Sequence, residues 1–304
     1  MASEKKVKLI SRIIDSCEEV PEYFMDGFKY SCLSCLEFPY SVYVVKLQGK
    51  EEEMYSQLIT ASEDGLYIFE RKNNRVTLNQ YNYEELIFIK KENGDLHSMI
   101  EIKGMINGRV FKNEIEFDNK DEDIFDFIIT SVRMKGKLTL DFEEDHEEKY
   151  GEDNYELLKL GYFKDSNLKL YNYCVESLIS GRKIKKTVFQ KKLVKKRLKL
   201  IKRVLTTSHI IILTSDELII VEEGKSKRRS PEANIGGYWY FIPVSQITSM
   251  DIKSSDNLLL TLTIRLKGNE QIEMIYENPN RTQLEQLAKS ALIVYQHGKT
   301  ENKD

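Results

Sequence analysis

The sequence predicts an α+β protein built of two consecutive antiparallel β units. Each is an antiparallel meander of short strands closed by a C-terminal helix, and helical segments precede each. Three observations lead there. The chain has 304 residues, long for one hydrophobic core and sufficient for two. The pattern of its first half recurs in its second. Each copy of that pattern runs from strands of period two into an amphipathic helix.

Residues 1–39 read as an N-terminal helical segment. Val7, Ile10, Ile13, Ile14 and Cys17 fall on one stripe, Pro21 breaks it, and "DGFKYSCLSCLEF" (26–38) adds a second apolar piece. The repeat then begins. "LITASEDGLYIFE" (58–70) has the layout of "ILTSDELIIVEE" (212–223), with Thr60 matching Thr214 and a turn two residues longer. "YNYEELIFIKKENGDLHSMIEIKG" (81–104) parallels "YFIPVSQITSMDIKSSDNLLLTLTIRLKG" (240–268), each a strand, a turn and a second strand.

The clearest strand places Leu258, Leu260, Leu262, Ile264 and Leu266 on one face, against Thr261, Thr263, Arg265 and Lys267. A further strand follows in each copy, with Phe111, Ile115 and Phe117 inward in the first and Ile272, Met274 and Tyr276 in the second. The closing helices carry Ile124, Phe127, Ile128, Ser131 and Val132 in one copy. In the other they carry Leu284, Leu287, Ala288, Ala291, Leu292 and Tyr295, with Thr282 and Glu285 at capping-box spacing.

"LTSDELIIV" followed by "IPVSQITSMDI" resembles the bacterial pleckstrin-homology-like domains (bacterial PH domains). The resemblance covers 205–297 directly and 40–134 through the internal repeat, where Tyr83-Glu84-Glu85-Leu86 stands in place of the Ile-Pro element. It implies tandem copies of a curved, partly open barrel of about seven strands with a C-terminal helix. Members are binding or scaffolding modules, some membrane-associated, without shared catalytic residues. The organisation expected is a first PH-like domain over 40–136, an acidic linker over 137–157, a helical connector over 158–204, a second PH-like domain over 205–297 and a tail over 298–304.

The connector holds the most unusual composition. From Arg182 to Arg203 there are twelve basic residues, and no acid occurs between Glu176 and Asp216. Stepped at 100° per residue, Leu193, Val194, Leu198, Leu200, Ile201, Val204 and Leu205 gather on one side of a helix. Lys195, Lys196, Lys199, Lys202 and Arg203 gather opposite, whereas a strand would mix both kinds on both faces. A basic amphipathic helix is the expectation, with three uses open: an anionic membrane, nucleic-acid phosphates, or packing on its own domain with the lysines in water. The loop 224–237 adds Lys225, Lys227, Arg228 and Arg229 as candidate contacts with an anionic partner. "DFEEDHEEKYGEDNYE" (141–156), with nine acids and one lysine, reads as a solvated linker that can fold back on the basic segment 191–205. "GGYWYF" (236–241) offers Tyr238, Trp239 and Tyr240 either as packing residues or as a partner-binding patch.

Other signals point to structure rather than chemistry. Cys32 and Cys35 have no second ligand pair, so a zinc site is not expected. Gly-Lys-Ser at 224–226 lacks the glycine five residues earlier that a phosphate loop requires; Ile219 stands there. No metalloprotease, dinucleotide or nucleophile-elbow motif occurs. No catalytic residue, metal or cofactor is therefore expected.

Four cysteines and the absence of a leader-like apolar stretch make a cytoplasmic location the expectation, with peripheral membrane association open. A net charge of −3 gives the whole molecule no pull on nucleic acid. The function expected is non-enzymatic binding or scaffolding, recruiting a protein partner or an anionic membrane surface. Nucleic-acid binding through the basic 182–203 face is the alternative, and an enzyme with an unrecognised site stands behind both.

Overall fold

The computed structural model describes residues 7–32, 38–48, 52–94, 97–136, 155–197, 201–224, 236–255 and 258–301. The chain divides into two compact units, Met1–Leu86 with Gly94–Thr139, and Ile87–Asn93 with Leu140–Asp304. Both consist of antiparallel strands with few helices, so the coarse class is α+β. Among the described residues no sheet closes into a barrel.

In the first unit β1 (Val7–Ile14), β2 (Tyr40–Gln48), β3 (Glu52–Ser62), β4 (Gly65–Lys72) and β5 (Arg75–Tyr81) lie side by side in chain order. The helical reading of the N-terminus is corrected here. Residues 7–14 pair with β2 along their whole length. They are rich in β-branched side chains, and pairing with β2 satisfies the backbone groups on that side of the strand, which outweighs a chance helical stripe. Leu9 and Ile14 are buried while Ile13 is exposed.

The helix of this region comes later, as α1 (Glu22–Cys32), directly after Pro21. Its Phe24 and Phe28 join Ile14, Val20, Leu58, Tyr67 and Phe69 in one core cluster. The hairpin of β7 (His97–Ile106) and β8 (Arg109–Asp118) leads into α2 (Glu122–Arg133). Phe125 of α2 stacks on Phe117 at 3.9 Å. Phe111, expected inside, is 39% exposed, and the other residues of the hairpin's end over 107–112 are exposed as well.

The second unit begins with α3 (Tyr155–Leu158) and α4 (Leu168–Ser177), then β9 (Lys186–Gln190), β10 (Leu193–Arg197), β11 (Ile201–Thr206), β12 (His209–Leu213), β13 (Glu217–Glu223) and β14 (Gly237–Pro243). Strands β9, β12, β13 and β14 form a sheet in that order. Next to β14 lies β6 (Leu86–Asn93), whose residues 89–92 pair with 238–241. A segment of the first repeat in sequence thus supplies a strand to the second unit.

β15 (Ile247–Ser254), β16 (Leu259–Leu266) and β17 (Gln271–Glu277) form a separate three-stranded sheet. In β16 Leu260, Leu262, Ile264 and Leu266 are buried as the alternation predicts, while Leu258 lies outside the strand and is 75% exposed. Helix α5 (Arg281–Glu301) packs against β9 and β15 through Leu284, Leu287 and Ala291, and Leu292 faces out.

The two halves share an order of elements. From β3 and from β12 alike, three strands, a 3-10 turn, three strands, a second 3-10 turn and a helix follow; the second half has an extra 3-10 turn at Lys267–Asn269.

Candidate functional site

The basic segment forms a two-stranded ribbon, β10 paired with β11, and the expected amphipathic helix is corrected accordingly. The ribbon continues the β9–β12 hairpin in register. Gln190 is opposite His209, and Leu193 is opposite Thr206. Between them the Lys192 amide donates to Ser208 Oγ at 3.3 Å. Beyond Thr206 a bulge shifts the register, so that Val194 meets Val204 and Lys195 meets Arg203, with Lys196 opposite Lys202 further on.

The physical reason for the failed helix is plain. Hydrophobic periodicity reports a face that must be buried, and among the ribbon's described side chains only Thr206, at its root, is buried. The β-branched Thr187, Val188, Val194, Ile201, Val204, Thr206 and Thr207 favour extended backbone.

The ribbon's root is firmly held. Thr206, Thr207, Ser208 and His209 are all buried. The basic run also divides into two parts. Arg182 Nη1 lies 2.5 Å from Glu217 Oε1 and Nη2 lies 3.1 Å from Asp216 Oδ2, and Lys186 donates to Gln286. These are structural contacts. Lys195 and Arg203, further out, are exposed. Val194 and Val204 are each 44% exposed beside them. Like charges directly opposite on a ladder destabilise a hairpin by a few tenths of a kcal/mol or more, and an isolated two-stranded ribbon is marginal to begin with. The arrangement costs stability and leaves basic and apolar groups together in solvent.

The remaining predicted contacts separate. For Lys196 and Lys202 only the backbone is described. Lys199, Lys225, Lys227, Arg228 and Arg229 lie outside the described residues, as does most of the acidic linker, so its contact with the basic segment does too. Cys35 also lies outside them, while Cys17 and Cys174 are free thiols and burial pushes the Cys174 thiol up.

The aromatic patch is corrected in part. Trp239 is 3% exposed, its Nε1 donates to the Tyr173 carbonyl at 3.2 Å, and the two rings lie 4.7 Å apart. It anchors α4 to the sheet and is not available to a partner. Tyr238 and Tyr240 are half-buried, with Lys90 Nζ over their rings at 5.1 and 5.7 Å.

Sequence reasoning missed His209, because a lone histidine in "SHIIIL" looks like an ordinary strand residue. It is 1% exposed, and burial lowers its pKa to about 4. Among the described residues, no group of three or more His, Cys, Asp or Glu side chains is placed to hold a metal ion. Nor is any helix there long and apolar enough to cross a membrane. No protein-family model matches the chain, and no curated protein matches it in sequence.

Proposed function

We propose that this is a non-enzymatic recruitment protein of two PH-like domains, with the β10–β11 ribbon as its contact element for an anionic membrane surface. The shared order of six strands and a closing helix in each half supports the tandem PH-like reading. One observation carries the choice of partner: exposed Val194 and Val204 oppose each other on one face of the ribbon and exposed Lys195 and Arg203 on the other, so a ribbon inserted end-on offers both kinds to one surface. A phosphate backbone rewards only the cations. A membrane interface rewards both, since apolar burial adds to electrostatic attraction. Each basic residue near an anionic leaflet contributes about 1 kcal/mol. Of the basic residues on these strands, Lys195 and Arg203 have described, exposed side chains, so they contribute about 2 kcal/mol before any apolar gain.

Co-sedimentation with phosphatidylglycerol-containing vesicles tests the reading, with phosphatidylcholine vesicles and a 20-base-pair DNA duplex as comparisons. Binding to the anionic vesicles alone, weakened by salt and by replacing Val194 and Val204 with Ser, is expected. Binding to the duplex in preference to the vesicles, or to neither, overturns it.

A further inference from the structure

At the ribbon end of the second unit's sheet, the register sets five polar residues in one row across five strands. Gln190 on β9 is opposite His209 on β12, which is opposite Glu222 on β13. Glu222 is opposite Tyr238 on β14, and Tyr238 is opposite Glu92 on β6. Directly opposed residues project to the same face of a sheet. Tyr276, from β17 of the other sheet, closes over that face, its ring meeting His209 edge-on at 4.8 Å between centroids. The next row inward is Val188, Ile211, Ile220, Tyr240 and Lys90, largely apolar. The polar row is thus the border of an apolar interior.

The outer half of the row already holds an ammonium group. Lys90 Nζ lies 3.3 Å from Glu92 Oε2 and over the Tyr238 and Tyr240 rings. The inner half holds none. His209 and Tyr276 are 1% and 0% exposed. His209 Nδ1 lies 2.9 Å from the Thr207 carbonyl, so it must carry the proton, and the neutral ring presents Nε2 as a bare lone pair. Neither Nε2 nor the Tyr276 hydroxyl has a hydrogen-bond partner among the described residues. Buried polar atoms are rarely left so. Glu222 is opposite His209 on the ladder, and its Oε1 accepts from Thr207 Oγ1 at 2.5 Å. Its charge helps hold the Tyr276 and Tyr238 phenols above their ordinary range, after burial itself and the nearer phenol or carboxylate.

We propose that His209 Nε2, the Tyr276 hydroxyl and the Glu222 carboxylate form a binding site for a ligand bearing a primary ammonium group. All three groups can accept a hydrogen bond, the phenol while keeping its own O–H to donate, and an ammonium is a compact cation with three N–H donors. The ring face of Tyr276 adds cation–π attraction, as the Tyr238 and Tyr240 faces do for Lys90. An anion would meet Glu222 and Glu92. A tetraalkylammonium has no hydrogen to give Nε2. This site does not depend on the membrane reading of the ribbon.

The test is an NMR titration of the full chain labelled with ¹⁵N-histidine, with His97, His146 and His297 replaced by Gln so that one imidazole reports. The probes are n-butylammonium and, at matched ionic strength, tetramethylammonium, at pH 7. A saturable shift of the Nε2 resonance with n-butylammonium, absent with tetramethylammonium, is expected, and its midpoint rises at least tenfold in Glu222→Gln. No saturable shift, an equal response to both cations, or an unchanged midpoint in the Glu222 variant overturns the proposal and leaves the groups to bound water.

Discussion

Lys195 and Arg203 stand opposite each other across the β10–β11 ribbon, two exposed cations on neighbouring strands. The pair sets stability against binding. Arg203→Glu turns a repulsive cross-strand pair into an attractive one and should stabilise the ribbon by about 0.5 kcal/mol. It also removes one positive charge from a membrane contact and adds a negative one. That costs about 2 kcal/mol of binding, roughly thirtyfold in affinity for anionic vesicles. Hydrogen exchange of the ribbon amides and vesicle co-sedimentation should therefore move in opposite directions. A parallel change in both would separate the ribbon from membrane contact.

His209 predicts a pH dependence. Its folded pKa of about 4 lies below the ordinary histidine value of 6.5 because burial disfavours the charged ring. Between those values the unfolded chain binds a proton that the folded chain does not, so stability rises with pH there. The effect is absent above about pH 7. Stability falls as the pH drops through 6.5 and the loss levels near pH 4, at about 3 kcal/mol in all. Urea denaturation of the protein and of His209→Gln from pH 4 to 8 checks this. The difference between the two stability curves should narrow towards acid, and a constant gap would contradict it.

Arg182 should behave as a structural residue although it opens the basic run. Its partner Glu217 has a side chain only 6% exposed. Arg182→Ala leaves that carboxylate buried without its cation and should cost about 3–5 kcal/mol. Lys195→Ala, in solvent, should cost less than about 0.5 kcal/mol. Thermal unfolding of both variants distinguishes a structural half of the run from a solvent-facing half.

Gly104 tests the core of the first unit. A Cβ there would lie 2.6 Å from a Tyr81 ring carbon and 3.1 Å from the Glu85 carbonyl. Tyr81 cannot retreat freely, because its buried hydroxyl donates to Asn113 Oδ1 at 2.6 Å. Gly104→Ala should destabilise by about 2 kcal/mol through overpacking. Tyr81→Phe added to it should partly relieve the clash, which a double-mutant cycle in denaturant would show as coupling.

Much of the strand pattern is legible because one face of each strand is buried. The alternation from Leu260 to Leu266 and the apolar run from Leu218 to Val221 both identify strands that the structure contains. The closing helices announce themselves through the stripes Ile124–Val132 and Leu284–Ala291, although Phe125 and Ile129, outside the first stripe, are buried while Ile124 and Phe127 are only half-buried. Elsewhere the signal misleads. Residues 193–205 satisfy a helical stripe by chance, and 7–14 also carry one although they pair as a strand with β2 and bury Leu9 and Ile14. The exposed cations Lys195 and Arg203 are visible as residues in the sequence, but their opposition is a product of register.

The sequence alone determines the antiparallel α+β class, the two closing helices and the concentration of positive charge between Arg182 and Arg203. These follow from local periodicity and composition. The tertiary structure decided that the charge lies on a ribbon, that Trp239 is interior, and that Ile87–Asn93 joins the second unit. It also brought Glu92, Gln190, His209, Glu222, Tyr238 and Tyr276 to one place. Strand pairing joins residues far apart in the chain, and register, which no local pattern encodes, chooses which side chains meet.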